Sequence, residues 1–274
     1  MSAAAPFDLQ GHRGARGHAP ENTLPGFERA LALGVTTLEL DVGITRDGVV
    51  VIHHDRRLNP DITREPGGAW LRGPGPLIRE LSYAELARYD VGRINPDSDY
   101  ARRFPHQRPA DGARVPRLAE LFAVSGDTVR FNIETKISAA APHETVGPDA
   151  FARALIAEVR KAGVAARTTI QSFDWRTLAL VEREAPEIAT AYLTDERNAD
   201  PRAMHAAGGG RIWSPDFRTV TPERLREARA LGLRVIPWTV NEPDDLERLL
   251  ALGVDGIISD YPDRVPACRP SPKP

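Results

Sequence analysis

Glu39 and Asp41 in "TLELDV", and Glu134 and Lys136 in "FNIETK", are charged residues set two apart inside otherwise apolar runs. Side chains two apart on a strand point the same way, so each pair shares a face. On a strand buried on both sides, that face is one where unpaired charge is expensive. A divalent cation removes the penalty for all three carboxylates, and an all-oxygen donor set selects a hard ion, Mg²⁺ or Ca²⁺, over zinc. The plainer alternative is core carboxylates held in salt bridges, or outward-pointing charges. Two such pairs, both late on strands where barrel active sites assemble, weigh against it.

His12 ends the short run Leu9-Gln10-Gly11, and His53 and His54 end "VVVI" after an "RDG" turn. Adjacent strand residues face opposite sides, so one of His53 and His54 can reach the place His12 reaches. Arg13 and Lys136 add positive charge there, which together with a cation suits a phosphate better than a carbonyl. Two imidazoles supply a proton acceptor and a proton donor near neutral pH, as phosphodiester cleavage requires. "GHRGARG" has the spacing G-x-x-G-x-x-G, which is not the dinucleotide fingerprint; neither a Walker loop nor a Cys/His zinc spacing occurs.

The elements that must position these residues follow from periodicity and punctuation. Eight apolar runs alternate with amphipathic stretches: Leu9 to His12, Thr37 to Thr45, Val129 to Lys136, Thr168 to Ser172, Ile188 to Thr194, Arg211 to Ser214, Arg234 to Val240 and Gly256 to Ser259. In "TPERLREARALG", Thr221 caps a helix, Pro222 suits its first turn and Gly232 ends it, and "EPDDLERLLALG" repeats the design. Eight strand–helix units whose strands have no wet face predict an α/β fold, a TIM (β/α)8 barrel with a small insertion between the second and third strands. The insertion covers about residues 56–115, carries one helix opened by Ser82, and lies over the C-terminal mouth of the barrel. One domain is expected over residues 7–266, with a disordered tail over 267–274.

A hydrophobic share of 41% and a charged share of 27% are those of an ordinary globular protein. A net charge of -2 gives no global attraction to nucleic acid or anionic lipid, so an anionic ligand must be held by local charge. Arg102, Arg103, Arg108, Arg114 and Arg117 lie near Tyr100 and Phe104, but interleaved Asp97, Asp99 and Asp111 make that stretch a solvated insertion rather than a nucleic-acid patch. The lone cysteine, Cys268, excludes an internal disulfide. No run of about 18 apolar residues occurs, so no membrane insertion is expected. The opening "MSAAAPFDLQG" lacks the features of a signal peptide; the location read from it is cytoplasmic, or periplasmic or secreted had a leader been removed. Oligomeric state is not legible.

"HRG" with "PENT" after it, "ELDV", "TRDG", the "HD" of His54 and Asp55, "NIETK", "QSF", "WTVN" and "DGIISDYP" together resemble the glycerophosphodiester phosphodiesterases, metal-dependent TIM-barrel enzymes. These motifs run from Gly11 to Pro262, nearly the whole chain. The resemblance implies that His12 and His54 are the acid/base pair and that Glu39, Asp41 and Glu134 bind one divalent cation. It selects His54 over His53, because the family histidine directly precedes Asp. It further implies that Arg13 and Lys136 contact the phosphate, and that Trp238 lies at the glycerol end of the pocket with Asn241 closing the same strand. The insertion falls where the family carries its small extra subdomain, and is expected to help choose the alcohol.

The implied reaction is metal-dependent hydrolysis of a small-molecule glycerophosphodiester to glycerol 3-phosphate and an alcohol, with a cyclic phosphate as the favoured intermediate. One rival is a phospholipase D-like lyase that releases the cyclic phosphate; action on intact lipid would call for an apolar mouth. The other is a non-catalytic phosphodiester- or nucleic-acid-binding module, against which the complete set of histidines, acids and cations counts.

Overall fold

The computed structural model describes residues 6–265. The expected disordered tail over 267–274 and Cys268 lie outside them. The strands are β1 (Asp8–Gly11), β2 (Thr37–Ile44), β3 (Val50–Ile52), β4 (Arg130–Thr135), β5 (Thr168–Ser172), β6 (Ala189–Thr194), β7 (Ile212–Pro215), β8 (Arg234–Val235) and β9 (Gly256–Ser259). All neighbours in the order β8-β7-β6-β5-β4-β2-β1-β9 pair in parallel, while β3 folds back antiparallel on β2. The ring is completed between β8 and β9: Asp255 N–H donates to the Val235 carbonyl (2.9 Å), Ile258 N–H to that of Pro237 (3.0 Å) and Val240 N–H to that of Ile258 (2.9 Å). The eighth parallel stave is thus present where the sequence predicts a strand over 234–240, but as regular strand it stops at Val235. Pro237 has no N–H to donate and interrupts the ladder.

The helices are α1 (Leu24–Ala32), α2 (Tyr83–Leu86), α3 (Asp99–Arg103), α4 (Leu118–Val124), α5 (Pro148–Lys161), α6 (Trp175–Glu184), α7 (Pro201–Gly208), α8 (Pro222–Ala230) and α9 (Pro243–Leu252). The capping read from sequence holds for α8, where the Thr221 side chain accepts from the Arg224 N–H. It holds only in part for α9, which has Pro243 in its first turn and Gly253 in the left-handed region at its end, but no side-chain hydrogen bond from Glu242. The helices pack on the outer face of the barrel, burying residues such as Phe27, Leu121, Leu155, Val181, Leu225 and Leu249 against outward-facing strand residues such as Leu9, Leu40 and Ile133. No helix among the described residues is long and apolar enough to cross a membrane.

The segment between β3 and α4 has a small core of its own, with Leu58, Ile78, Leu86, Val91 and Val115 packed on Val51. It contains α2, whose Ser82 and Glu85 form a reciprocal capping box, and also α3, which the sequence reading missed. Five residues rich in Arg and Asp carry no apolar periodicity, and α3 is held instead by the Ser98 cap and by polar contacts to the barrel.

Candidate active site

Strand register assembles the acids. Asp41 on β2 lies opposite Glu134 on β4, and Glu134 lies opposite Gln171 on β5. Glu39, Asp41 and Glu134 are all buried, and each offers a carboxylate oxygen within 4.8 Å of the other two. Two oxygens bound to one calcium-sized ion sit no more than about 5 Å apart, so three carboxylates in this arrangement fit a single hard divalent cation. Burial pushes the Glu39 carboxyl well above its ordinary range, and the neighbouring Asp41 charge pushes it further. Burial likewise raises Glu134 in spite of Lys136. Asp41 goes the other way: Lys136 and Arg13 outweigh the effect of burial and hold it ionised. Three buried carboxylates thus cannot all carry charge cheaply without more positive charge among them.

Each histidine brought to this cluster is oriented by a carboxylate. The His12 Nδ1 lies 2.7 Å from Asp260 Oδ1, and its Nε2 faces Glu39 Oε2 at 3.9 Å. His54 Nδ1 lies 2.8 Å from Asp55 Oδ1. Asp260 and Asp55 are both held well below the ordinary carboxylate range, Asp260 by Arg16 and His12 and Asp55 by His54, in each case against burial. Each therefore accepts, so the proton of each neutral ring sits on Nδ1 and the Nε2 lone pair is free. Burial, with Arg16 beside His12 and with Arg13 and Lys136 beside His54, lowers both imidazoles to about 4. His53 is buried and is not among the residues lining the cavity, with Nδ1 on the Asp55 carbonyl at 2.8 Å. His54, by contrast, lines the cavity together with His12.

The cations are built in by an unusual backbone. Arg13 and Asn22 both take left-handed φ values, 51° and 53°, which non-glycine residues rarely adopt and which cost of order 1 kcal/mol each. Arg13 in that conformation donates its N–H to Glu39 Oε2 (2.9 Å), while its guanidinium meets Glu21 Oε1 at 2.7 Å and Asp41 Oδ2 at 3.4 Å. Asn22 donates its N–H to the Arg13 carbonyl (3.0 Å) and its side-chain amide to Asp41 Oδ2 (2.9 Å). The turn needs Gly11, where a Cβ would meet the Gly14 carbonyl oxygen at 2.1 Å. Lys136 Nζ sits 2.9 Å from Glu134 Oε1 and 3.2 Å from Asp41 Oδ1.

These groups open on a cavity of about 470 Å³ at the C-terminal ends of the strands, and His12, Arg13, Glu39, His54, Glu134, Lys136 and Trp238 all line it. Asp41 lies just behind the wall, reached through Lys136 and Asn22. Asn241, expected beside Trp238 on the substrate, is not among the residues that line the cavity. Its side-chain Nδ2 donates to Asp260 Oδ2 (2.8 Å) and its Oδ1 accepts from the Asp260 N–H (3.0 Å), so it holds the carboxylate that orients His12.

Several contributors were not singled out from the sequence, although they sit inside motifs that were. Asp260 belongs to "DGIISDYP", Glu21 and Asn22 to "PENT", and Gln171, which donates to Glu39 Oε1 (2.7 Å), to "QSF". Arg16 grips Asp260 through Nε (2.7 Å) and Nη2 (3.0 Å). From the insertion come Asn59, Asp61, Tyr100 and Arg103. Only their tertiary placement distinguishes them from surface polar residues. Phe173, 40% exposed, is the one exposed large hydrophobic residue at the mouth among the described residues.

A parallel barrel whose strand ends carry a carboxylate cluster, two carboxylate-oriented imidazoles and buried cations has the equipment of a metal-assisted phosphodiesterase. The sequence profile of the glycerophosphoryl diester phosphodiesterase family matches residues 12–264, and the chain belongs to that family. A crystal structure of a putative glycerophosphoryl diester phosphodiesterase from Silicibacter pomeroyi is similar, with a TM-score of 0.90 and 41% identity over 96% of this chain and 93% of that one. The glycerophosphodiester phosphodiesterase of Caldanaerobacter subterraneus is 29% identical over 92% of this chain and 93% of its own. An Oleispira antarctica phosphodiesterase, solved with its product sn-glycerol-3-phosphate, shares the fold with a TM-score of 0.76 at 23% identity, covering 95% of this chain and 96% of that one.

Proposed function

We propose that this protein hydrolyses small glycerophosphodiesters to glycerol 3-phosphate and an alcohol, with a divalent cation held by Glu39, Asp41 and Glu134 and with His12 and His54 as the proton carriers. The observation that carries the reading is the convergence at one cavity of three carboxylates, Glu39 and Glu134 in its wall and Asp41 just behind it, with oxygens within 4.8 Å of one another, and of two imidazoles fixed through Nδ1 by carboxylates. When bound, Mg²⁺ or Ca²⁺ would offset charge accumulating on the phosphoryl oxygens. Arg13 and Lys136 lie against the same acids and add positive charge beside that position, the part of catalysis with the largest effect.

The two histidines are not equivalent. His12 is the more enclosed, its side chain 12% exposed against 29% for His54, and its partner Asp260 is gripped by Arg16 through two hydrogen bonds. His54 lines the cavity with Asp55 and with Asn59 and Asp61 of the insertion, the side assigned to the alcohol in this reading, and its imidazole is depressed by burial and then by Arg13 and Lys136. A bound phosphate offsets those two charges and returns His54 toward its ordinary affinity for a proton. In this reading His12 Nε2 takes the proton of the glycerol 2-hydroxyl as that oxygen bonds to phosphorus, and His54 Nε2–H protonates the alcohol oxygen as its bond to phosphorus breaks. Water then opens the cyclic phosphate with the roles reversed, returning both rings to their starting state.

The test is a panel of glycerophosphodiesters assayed after exhaustive chelation and again with each metal restored, with products followed by phosphorus NMR. Glycerol 3-phosphate formed only with metal is the expected result. Undiminished turnover after chelation would remove the metal from the reading, and a persistent cyclic product would replace hydrolase with lyase.

A further inference from the structure

The cavity's cations fall into two groups. Arg13, Arg16 and Lys136 are each committed to carboxylates of the barrel. Arg103, on α3, lines the same cavity and has no carboxylate partner among the described residues. Its guanidinium lies over the Tyr100 ring at 5.5 Å and the Phe104 ring at 5.7 Å from their centroids. Tyr100 is itself tied to the site, its hydroxyl donating to Glu21 and accepting from Arg16 Nη1 at 3.1 Å. Arg103 is thus an exposed cation carried on an aromatic platform that is anchored to the catalytic loop, so less is lost in ordering it against a ligand than for a free surface arginine.

Asp61 is the corresponding anion. Its backbone is fixed, the N–H donating to Asn59 Oδ1 (2.9 Å) and the carbonyl accepting from the Asn95 N–H (2.7 Å). Its half-buried carboxylate faces the cavity without a cationic partner among the described residues. The other carboxylates lining the cavity are engaged: Asp55 by His54 and Asn59, Glu39 by Gln171 and the Arg13 N–H, Glu134 by Lys136.

One uncommitted guanidinium and one uncommitted carboxylate, both supplied by the insertion and both lining the cavity, complement a leaving alcohol that carries an ammonium and a carboxylate. The geometry points to a preference for glycerophosphodiesters of a zwitterionic, amino-acid alcohol, with Arg103 taking its carboxylate and Asp61 its ammonium. This rests on the hydrolysis proposed above and adds the class of alcohol. A charge-assisted contact of this kind is worth about 10- to 100-fold in kcat/KM.

The experiment compares kcat/KM for glycerophosphoserine, glycerophosphoethanolamine and glycerophosphoglycerol in the metal-loaded enzyme and in Arg103→Gln, Arg103→Glu and Asp61→Asn, with circular dichroism to confirm folding. The wild type is expected to favour the serine diester over the ethanolamine diester. Arg103→Gln should lower that ratio by about 10- to 100-fold and Arg103→Glu should invert it. Asp61→Asn should lower the rates for both ammonium-bearing substrates relative to glycerophosphoglycerol. A serine-to-ethanolamine ratio unmoved by either Arg103 substitution, or a wild type that favours ethanolamine, overturns the inference while leaving the hydrolase reading intact. Failure of the wild type to cleave any of the three overturns both.

Discussion

The interior of this barrel is divided into two halves. On β1, β2, β4 and β5 the inward side chains are polar and linked: Asn132 donates to Gln10 (2.8 Å) and Gln171 (2.9 Å), and Gln171 donates to Glu39 (2.7 Å). On β6, β7 and β9 and just past the end of β8 the equivalent region holds Ala191, Ile212, Ile236 and Ile258 packed together, with Trp238 against them. The same fold position is thus used in two ways. The apolar half contributes burial, which is non-directional and tolerant of shape. The polar half contributes direction, because a buried amide chain is stable only when nearly every member has its partner, and its last member fixes the rotamer of a carboxylate at the site.

Breaking the polar half at its catalytic end is expected to have the largest effect. His12→Ala or His54→Ala should lower kcat by about two to four orders of magnitude, measured as initial rates at saturating metal. A variant with near-normal rate would remove that histidine from the proton-transfer assignment. One step further from the chemistry, Gln171→Leu deprives Glu39 of a donor and should weaken metal affinity by about 10- to 100-fold, measured by titration of the chelated protein. The matched change in the apolar half, Ile236→Ala, should instead lower stability to denaturant by about 2–5 kcal/mol. Comparable losses of metal affinity in both variants would dissolve the distinction between the halves.

A smaller effect is expected at Asn241. Removing its amide with Asn241→Ala takes one hydrogen bond from Asp260, which should reduce kcat by about 10-fold with KM little changed. The opposite split, KM raised with kcat preserved, would restore Asn241 to the substrate.

The last test is of pH. Both imidazoles are lowered to about 4 in the folded protein, against about 6.5 in an unfolded chain. Their contribution to stability is complete above pH 6.5. It is lost as the pH falls from there to about 4, because the unfolded chain takes up protons that the folded one refuses. Asp260, held below the carboxylate range, adds a further loss beneath about pH 4. His12→Gln should flatten the slope between pH 6.5 and 4 in equilibrium unfolding, whereas Ile236→Ala should leave it unchanged.

Much of the barrel was legible because its information is local. The strand at Thr168–Ser172 coincides with its apolar run, and α8 starts where Thr221 and Pro222 place it. The acid pairs were legible for the same reason, since a two-residue spacing on a strand dictates a shared face. Arg234 to Val240 read as one strand because its side chains are apolar, yet the backbone of Pro237 cannot continue the ladder. The helix α3 was not legible, because it depends on a cap and on Tyr100 reaching residues some 80 positions away rather than on an apolar stripe.

The sequence by itself determined the alternation of strands and helices, the faces on which Glu39, Asp41 and Glu134 lie, and the presence of imidazoles at two strand ends. Periodicity and side-chain chemistry act over a few residues, so a linear reading captures them. Only the tertiary structure decided that Asp260 bonds His12 from 248 residues away, that Asn241 bonds Asp260, and that Arg103 and Asp61 line the cavity from the insertion. The His12–Asp260 pairing arises from closing the barrel, which brings its first and last strands into register, and sequence spacing carries no record of that closure.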